Sequence, residues 1–83
     1  MSDAEILGGI QSVARLHLDS DVTLAPEMPL VGALALDSVR MLTLVVELEN
    51  RFAVNLEEGD EADLVDVGDL VALLRRRLEP GVG

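Results

Sequence analysis

The sequence predicts an all-α fold: a small four-helix bundle of three main helices and one short one, with a long loop between the first two main helices. Three observations predict it. Of the 83 residues 49% are apolar, yet Phe52 is the only aromatic one, so a core has to be built from Leu, Val, Ile and Met. Those aliphatics recur three and four residues apart in three separate windows, each opened by a capping residue. No stretch alternates apolar with polar residues as a half-buried strand would. At this length a single domain over 1–83 is expected, structured from about residue 3 to 79 with a flexible tail at 80–83. With no cysteine to staple it, stability has to come from aliphatic packing.

Ser2 followed by Glu5 has the spacing of a capping box, and Ile6, Ile10, Val13 and His17 recur behind it at helical intervals, so a first helix is expected from Asp3 to Leu18. His17, the only histidine, sits where a cation meets the negative end of that helix and needs no catalytic role. From Asp19 to Leu36 the chain carries Pro26, Pro29 and Gly32 and shows no periodicity, yet Val22, Leu24, Met28, Leu30, Leu34 and Leu36 keep it apolar. This reads as a long loop pinned to the core. A loop of that length in a small domain is either functional or hides an element.

Asp37 is a good N-cap for a second helix over Ser38–Phe52, which contains neither Gly nor Pro. At about 100° per residue, Met41, Leu44, Val45, Leu48 and Phe52 fall in one sector and Val39, Leu42 and Val46 in another. The first stripe faces the core. The second is either covered by neighbouring helices, as in any central helix, or exposed as a docking surface beginning beside Ser38. Arg40, Thr43, Glu47, Asn50 and Arg51 fill the polar sector.

Between Glu57 and Asp69 seven of thirteen residues are acidic and Gly59 interrupts the run, which reads as a loop and a short third helix near Asp60–Val65. Asp66 then caps a last helix. In it Val67, Leu70, Val71, Leu74 and Leu78 form one stripe, Arg75 to Arg77 lie at the negative end, and Pro80 stops it.

Sixteen carboxylates against six arginines give a net charge of −10, which repels phosphate backbones and anionic membrane surfaces. Nucleic acid and membrane are therefore excluded as partners. The same field would speed encounter with basic protein surfaces, or else serve solubility alone. Asp3 and Glu5 stand where a secretory signal would be basic, and no apolar run reaches spanning length, so the expectation is a cytoplasmic monomer.

Catalytic constellations are missing from the sequence. Ser38 lacks the Gly-x-Ser-x-Gly elbow, and its one neighbouring base, Asp37, is better used as a cap. There is no glycine-rich phosphate loop and no His or Cys cluster with metal spacing, and the acidic run lacks the ligand alternation of a calcium loop. What remains is a serine at a helix start, where free amides and the dipole favour a phosphate ester.

The run Leu36-Asp37-Ser38-Val39, followed by Leu42, Leu44-Val45, Leu48-Glu49, Phe52 and Val54, resembles the phosphopantetheine attachment segment of acyl carrier proteins. Val67-Gly68-Asp69-Leu70-Val71 is similar to the Thr-Val-Gly-Asp-Leu stretch that opens the family's final helix. The likeness runs from Ile6 to Leu78. It implies an acyl-carrier-like bundle without catalytic activity, in which Ser38 accepts 4′-phosphopantetheine from coenzyme A through a magnesium-dependent phosphopantetheinyl transferase. Asp37 would flank the attachment site, and Val39, Arg40, Leu42, Thr43, Val46 and Glu47 would lie on the docking face. Acyl- or aminoacyl-loading enzymes and ketosynthase, acyltransferase or condensation-type enzymes would be the further partners, and the cargo would ride as a thioester.

Four positions depart from the family pattern: Val39 follows the serine, Ala35 replaces a common glycine, and Arg40 and Thr43 stand at usually acidic positions. Asp37-Ser38-Val39-Arg40-Met41 is similar to aryl and aminoacyl carriers of nonribosomal peptide assembly, whereas Glu47-Leu48-Glu49-Asn50-Arg51-Phe52 reads as an acyl carrier. A discrete carrier in a polyketide, nonribosomal-peptide or related natural-product pathway reconciles the two. Primary fatty-acid synthesis is the alternative, and a helical interaction module without a prosthetic group is the rival from another class.

Overall fold

The computed structural model describes residues 1–57 and 59–78. Four α-helices follow in order: α1 (Asp3–His17), α2 (Leu30–Leu34), α3 (Ser38–Phe52) and α4 (Val67–Leu78), with a 3-10 turn at Asp60–Asp63 between the last two. Among the described residues there is no strand, only an isolated bridge between Pro29 and Asp66.

The start of α1 follows from its capping box: Glu5 N–H donates to Ser2 Oγ at 3.2 Å, and Ser2 N–H donates to Glu5 Oε1 at 3.1 Å. Ile6, Ile10, Val13 and Ala14 are buried, so one face of α1 lies against α3 and α4. At α4 the reciprocal arrangement is made by two aspartates. Asp69 N–H donates to Asp66 Oδ1 at 2.8 Å, and Asp69 Oδ2 accepts from Val65 and Asp66 N–H at 2.9 and 3.2 Å. These backbone hydrogen bonds, that of Val65 above all, hold the Asp69 carboxyl below the usual carboxylate range. The stripes of α3 and α4 meet α1 in a core that includes Leu44, Leu48, Phe52, Val67, Leu70, Val71 and Leu74.

The stretch from Asp19 to Leu36 differs from the expectation of a loop throughout. Its first half is pinned as foreseen. Gln11 Oε1 accepts from Leu24 N–H at 2.7 Å while its Nε2 donates to Val22 O at 2.6 Å, and Leu24 is buried. Further on, Gly68 and Val67 N–H donate to Pro26 and Met28 O at 2.8 and 2.9 Å, and Leu30 N–H donates to Val65 O at 3.0 Å, so the loop is tied to the head of α4. The second half contains α2. Five residues are too few to show a period, and Gly32 within them argues against helix. The element exists because Leu30 and Leu34, four apart, both reach the core.

The short third helix expected near Asp60–Val65 is corrected to the 3-10 turn Asp60–Asp63, which buries none of its residues. Val65 lies outside the helix, its carbonyl accepting from Leu30 N–H, and 72% of it is exposed. A stretch with three carboxylates in four residues and no core-facing stripe has nothing to stabilise a longer helix. The first helix ends at His17, with Leu18 as its cap. Pro80 as a helix stop and the flexible tail expected at 80–83 fall outside the described residues.

Candidate functional site

The site is built by the turn between α2 and α3. Ala35 ends α2 in the left-handed region with φ 49°, and Asp37 is extended, with φ −113° and ψ −172°. The Asp37 carboxylate accepts from Arg40 N–H at 2.8 Å and its carbonyl accepts from Met41 N–H at 2.8 Å, which starts α3 at Ser38. Ser38 is exposed there.

The four serines differ in what their hydroxyls do. Ser2 caps α1, Ser12 Oγ donates to Gly8 O at 3.1 Å, and Ser20 is buried with its Oγ turned to Val22 N–H. Of these four serine hydroxyls only that of Ser38 is both exposed and without a hydrogen-bond partner among the described residues. It stands at the mouth of an open cleft of about 580 Å³ formed by Met41, Leu42 and Val45 of α3 and by Leu56, with Glu57 and Glu61 at the rim. Beside it Val39, Leu42 and Val46 are 72%, 64% and 41% exposed, whereas Leu44, Leu48 and Phe52 are buried. The second stripe of α3 is therefore uncovered by neighbouring helices.

A family profile described as "Phosphopantetheine attachment site" matches residues 4–77. An acyl carrier protein of Exiguobacterium is 30% identical over 79 residues, covering 94% of this chain and 100% of the relative. An acyl carrier protein of Kineococcus radiotolerans is 35% identical over 75 residues, covering 88% of this chain and 91% of the relative. A meromycolate extension acyl carrier protein of Mycolicibacterium aurum is 34% identical over 79 residues, covering 90% and 78%.

The chain belongs to the acyl carrier protein family. It is accordingly a carrier acted on by other enzymes rather than an enzyme, and its prosthetic group is 4′-phosphopantetheine, held covalently. The structure of this carrier can receive such a group. The amides of Ser38 and Val39, in the first turn of α3, donate to no oxygen among the described residues and face the positive end of a helix of 15 residues. Next to the same hydroxyl the cleft offers an apolar floor for an arm that has to lie on the surface when no enzyme holds it.

The remaining residues expected on the carrier's docking face are placed differently from one another. Thr43 Oγ1 donates to Val39 O at 3.0 Å, so its hydroxyl proton is taken up by its own helix. Glu47 Oε1 lies 3.4 Å from His17 Nε2, joining the middle of α3 to the end of α1. Arg40 does not lie out on the polar face: its guanidinium turns inward onto the carbonyls of Leu34 and Leu18. The angular count on α3 could not show this, because it contains no information on where α1 and α2 end.

The cleft wall was not foreseen in the sequence, since Leu56, Glu57 and Glu61 come to Ser38 only by chain reversal after α3. Ala53 makes that reversal in the left-handed region with φ 54°, and Leu56 N–H donates to Glu49 Oε2 at 2.9 Å. The 3-10 turn is held against α4 by Arg77 Nη2 and Asp60 Oδ2 at 2.7 Å. That guanidinium, with the N–H of Glu57, holds the Asp60 carboxyl below its ordinary range.

Proposed function

We propose that Ser38 is the attachment residue, and that the chain is a discrete carrier domain bearing acyl or aminoacyl intermediates as thioesters in a polyketide, nonribosomal-peptide or related natural-product pathway. The observation that carries this reading is the state of the four serine hydroxyls: one alone is exposed, unpartnered and set at a helix start over an apolar cleft.

In the loading step a phosphopantetheinyl transferase brings coenzyme A to the carrier. The Ser38 Oγ–P bond forms, a P–O bond of the pyrophosphate breaks, and adenosine bisphosphate leaves. When bound, the group supplies a thiol on a long tether, to which cargo is joined as a thioester. The chain's own contribution is positional: Asp37 caps and orients the start of α3, and Val39, Leu42 and Val46 supply the apolar contact by which partner enzymes seat the carrier. An interface core of that kind is apolar and poor in charge, as this strip is.

The specialised pathway is supported by the same face. With the Arg40 head turned inward and Thr43 bonded to its own helix, the first two turns of α3 add no charged group to the docking strip, and the acids near Ser38 are the capping Asp37 and, across the cleft, Glu57 and Glu61. A partner that reads this face uses apolar contact more than a basic patch. The names of the relatives, acyl carrier and meromycolate extension acyl carrier, favour an acyl over an aminoacyl cargo.

Protein purified from its own host tests this reading: brief treatment with neutral hydroxylamine should release the cargo, which mass spectrometry then identifies. A substituted, aryl or branched acyl group is the expected result. Straight-chain saturated acyl groups alone would refute the pathway assignment.

A further inference from the structure

Arg40 ties together the ends of three helices. Its Nε and Nη2 donate to Leu34 O at 3.3 and 2.9 Å, and Nη2 also donates to Leu18 O at 3.1 Å. Leu34 is the last residue of α2 and Leu18 the cap of α1. Carbonyls at such positions lack intrahelical partners and lie at the negative pole of the helix. A guanidinium is always charged and holds its donors in a fixed fork, so it satisfies both. The backbone N–H of the same residue is held by Asp37.

Only Ala35, Leu36 and Asp37 separate Leu34 from Ser38. Ala35 is left-handed, its N–H reaches Gly32 O at a long 3.4 Å, and Leu36 N–H donates to Val31 O at 3.0 Å. Beyond these the turn is held by Leu36, part-buried against the core, and by Asp37 capping α3, and among the described residues no other side chain bonds the Leu34 carbonyl that precedes it. The body of α3, by contrast, is anchored by Leu44, Leu48 and Phe52, at least a turn and a half further along. Loss of the Arg40 clamp should thus loosen the turn and leave the helix docked.

We propose that Arg40 is a positioning residue for loading: by clamping the ends of α1 and α2 to the first turn of α3, it fixes the Ser38 hydroxyl where an incoming transferase requires it. The inference rests on the reading of Ser38 as the attachment residue. During transfer the Ser38 proton passes to the transferase, the new Oγ–P bond forms, and adenosine bisphosphate departs with the electron pair of the broken P–O bond. Arg40 touches none of these atoms. It acts through the geometry of residues 35–38, where a small misplacement of the nucleophile has a large effect on rate.

The test compares wild type, Arg40→Met, Arg40→Lys, Ser38→Ala and Val71→Ala, the last losing core contacts on α4. Two quantities are measured: steady-state loading by a broad-specificity phosphopantetheinyl transferase with coenzyme A, and amide hydrogen exchange. Arg40→Met should lower kcat about tenfold with KM for coenzyme A unchanged, and should speed exchange at the hydrogen-bonded amides of this turn, Ala35, Leu36 and Met41, but not at Leu48. Arg40→Lys should recover part of the rate, while Val71→Ala should load with the wild-type kcat. Wild-type kcat in Arg40→Met would overturn the proposal, as would equal slowing in Val71→Ala. Loading of Ser38→Ala would remove the attachment site itself and the positioning role with it. That failure is recognisable because the exchange pattern, which needs no arm, would still report whether the clamp exists.

Discussion

Gly9 and Gly8 are neighbours on α1, and the structure predicts opposite outcomes when each is replaced by alanine. Gly9 is buried where α1 crosses α3, and a Cβ there would overlap Phe52 Cζ, with Cε1 and Cε2 at only 3.1 and 3.2 Å. Cζ lies on the axis of the ring's χ2, so spinning the ring moves nothing out of the way. The ring has to withdraw by about 1 Å to restore an ordinary carbon contact. Phe52 is 7% exposed and packed, so the shift has to be taken up by χ1 or by the end of α3.

Overpacking of this kind costs roughly 1–3 kcal/mol, against a gain of about 1 kcal/mol from replacing a mid-helix glycine. Gly8 is exposed with nothing within 4 Å of an added Cβ, so Gly8→Ala keeps the gain alone. The two variants should therefore differ by roughly 1–3 kcal/mol, which for a domain of this size is a melting difference of about 4 °C at the least. Thermal melts followed by circular dichroism measure it directly. Gly9→Ala melting at or above Gly8→Ala would refute the close approach of α1 to Phe52 and, with it, the seating of the helix that carries Ser38.

Val46→Glu should leave helical circular dichroism unchanged, because the side chain is already exposed, yet lower kcat/KM for loading roughly tenfold by placing a charge in the apolar strip; loss of helicity would show the strip to be buried. The acid limb of stability should depend on Asp69, Asp60 and Glu5, whose folded-state pKa values are lowered by hydrogen bonds from Val65 and Asp66, from Arg77 and Glu57, and from Ser2. A lowered folded value means that the stability each adds is fully present above the unfolded value, near pH 4, and is lost as pH falls through the folded one. Asp69→Asn should thus flatten the fall of stability below about pH 4, measured by urea unfolding at stepped pH. An acid limb as steep as that of the wild type would contradict the assignment.

The main helices were legible because each begins with its own local signal: Ser2 with Glu5, Asp37 before Ser38, and Asp66 before Val67. The two stripes of α3 were separable by angle alone, and whether the second was covered could be decided only by the packing of the other helices. Helix α2 was illegible because its reason for existing is tertiary, the seating of Leu30 and Leu34 in a core made by other elements. The acidic segment failed in the opposite way: its composition permits helix, but no apolar stripe rewards more than the turn Asp60–Asp63. Ser38 was visible from its context, whereas the cleft beside it depends on a reversal at Ala53 that alanine does not announce. Arg40 looked like any residue of a polar face until the ends of α1 and α2 were placed beneath it.

The most direct measurement is intact-protein mass spectrometry after incubation with coenzyme A, magnesium and a broad-specificity phosphopantetheinyl transferase. The wild type should gain the mass of a single phosphopantetheine group and Ser38→Ala should gain nothing. An unmodified wild type, or an alanine variant that still takes up the group, would contradict Ser38 as the anchor of the arm.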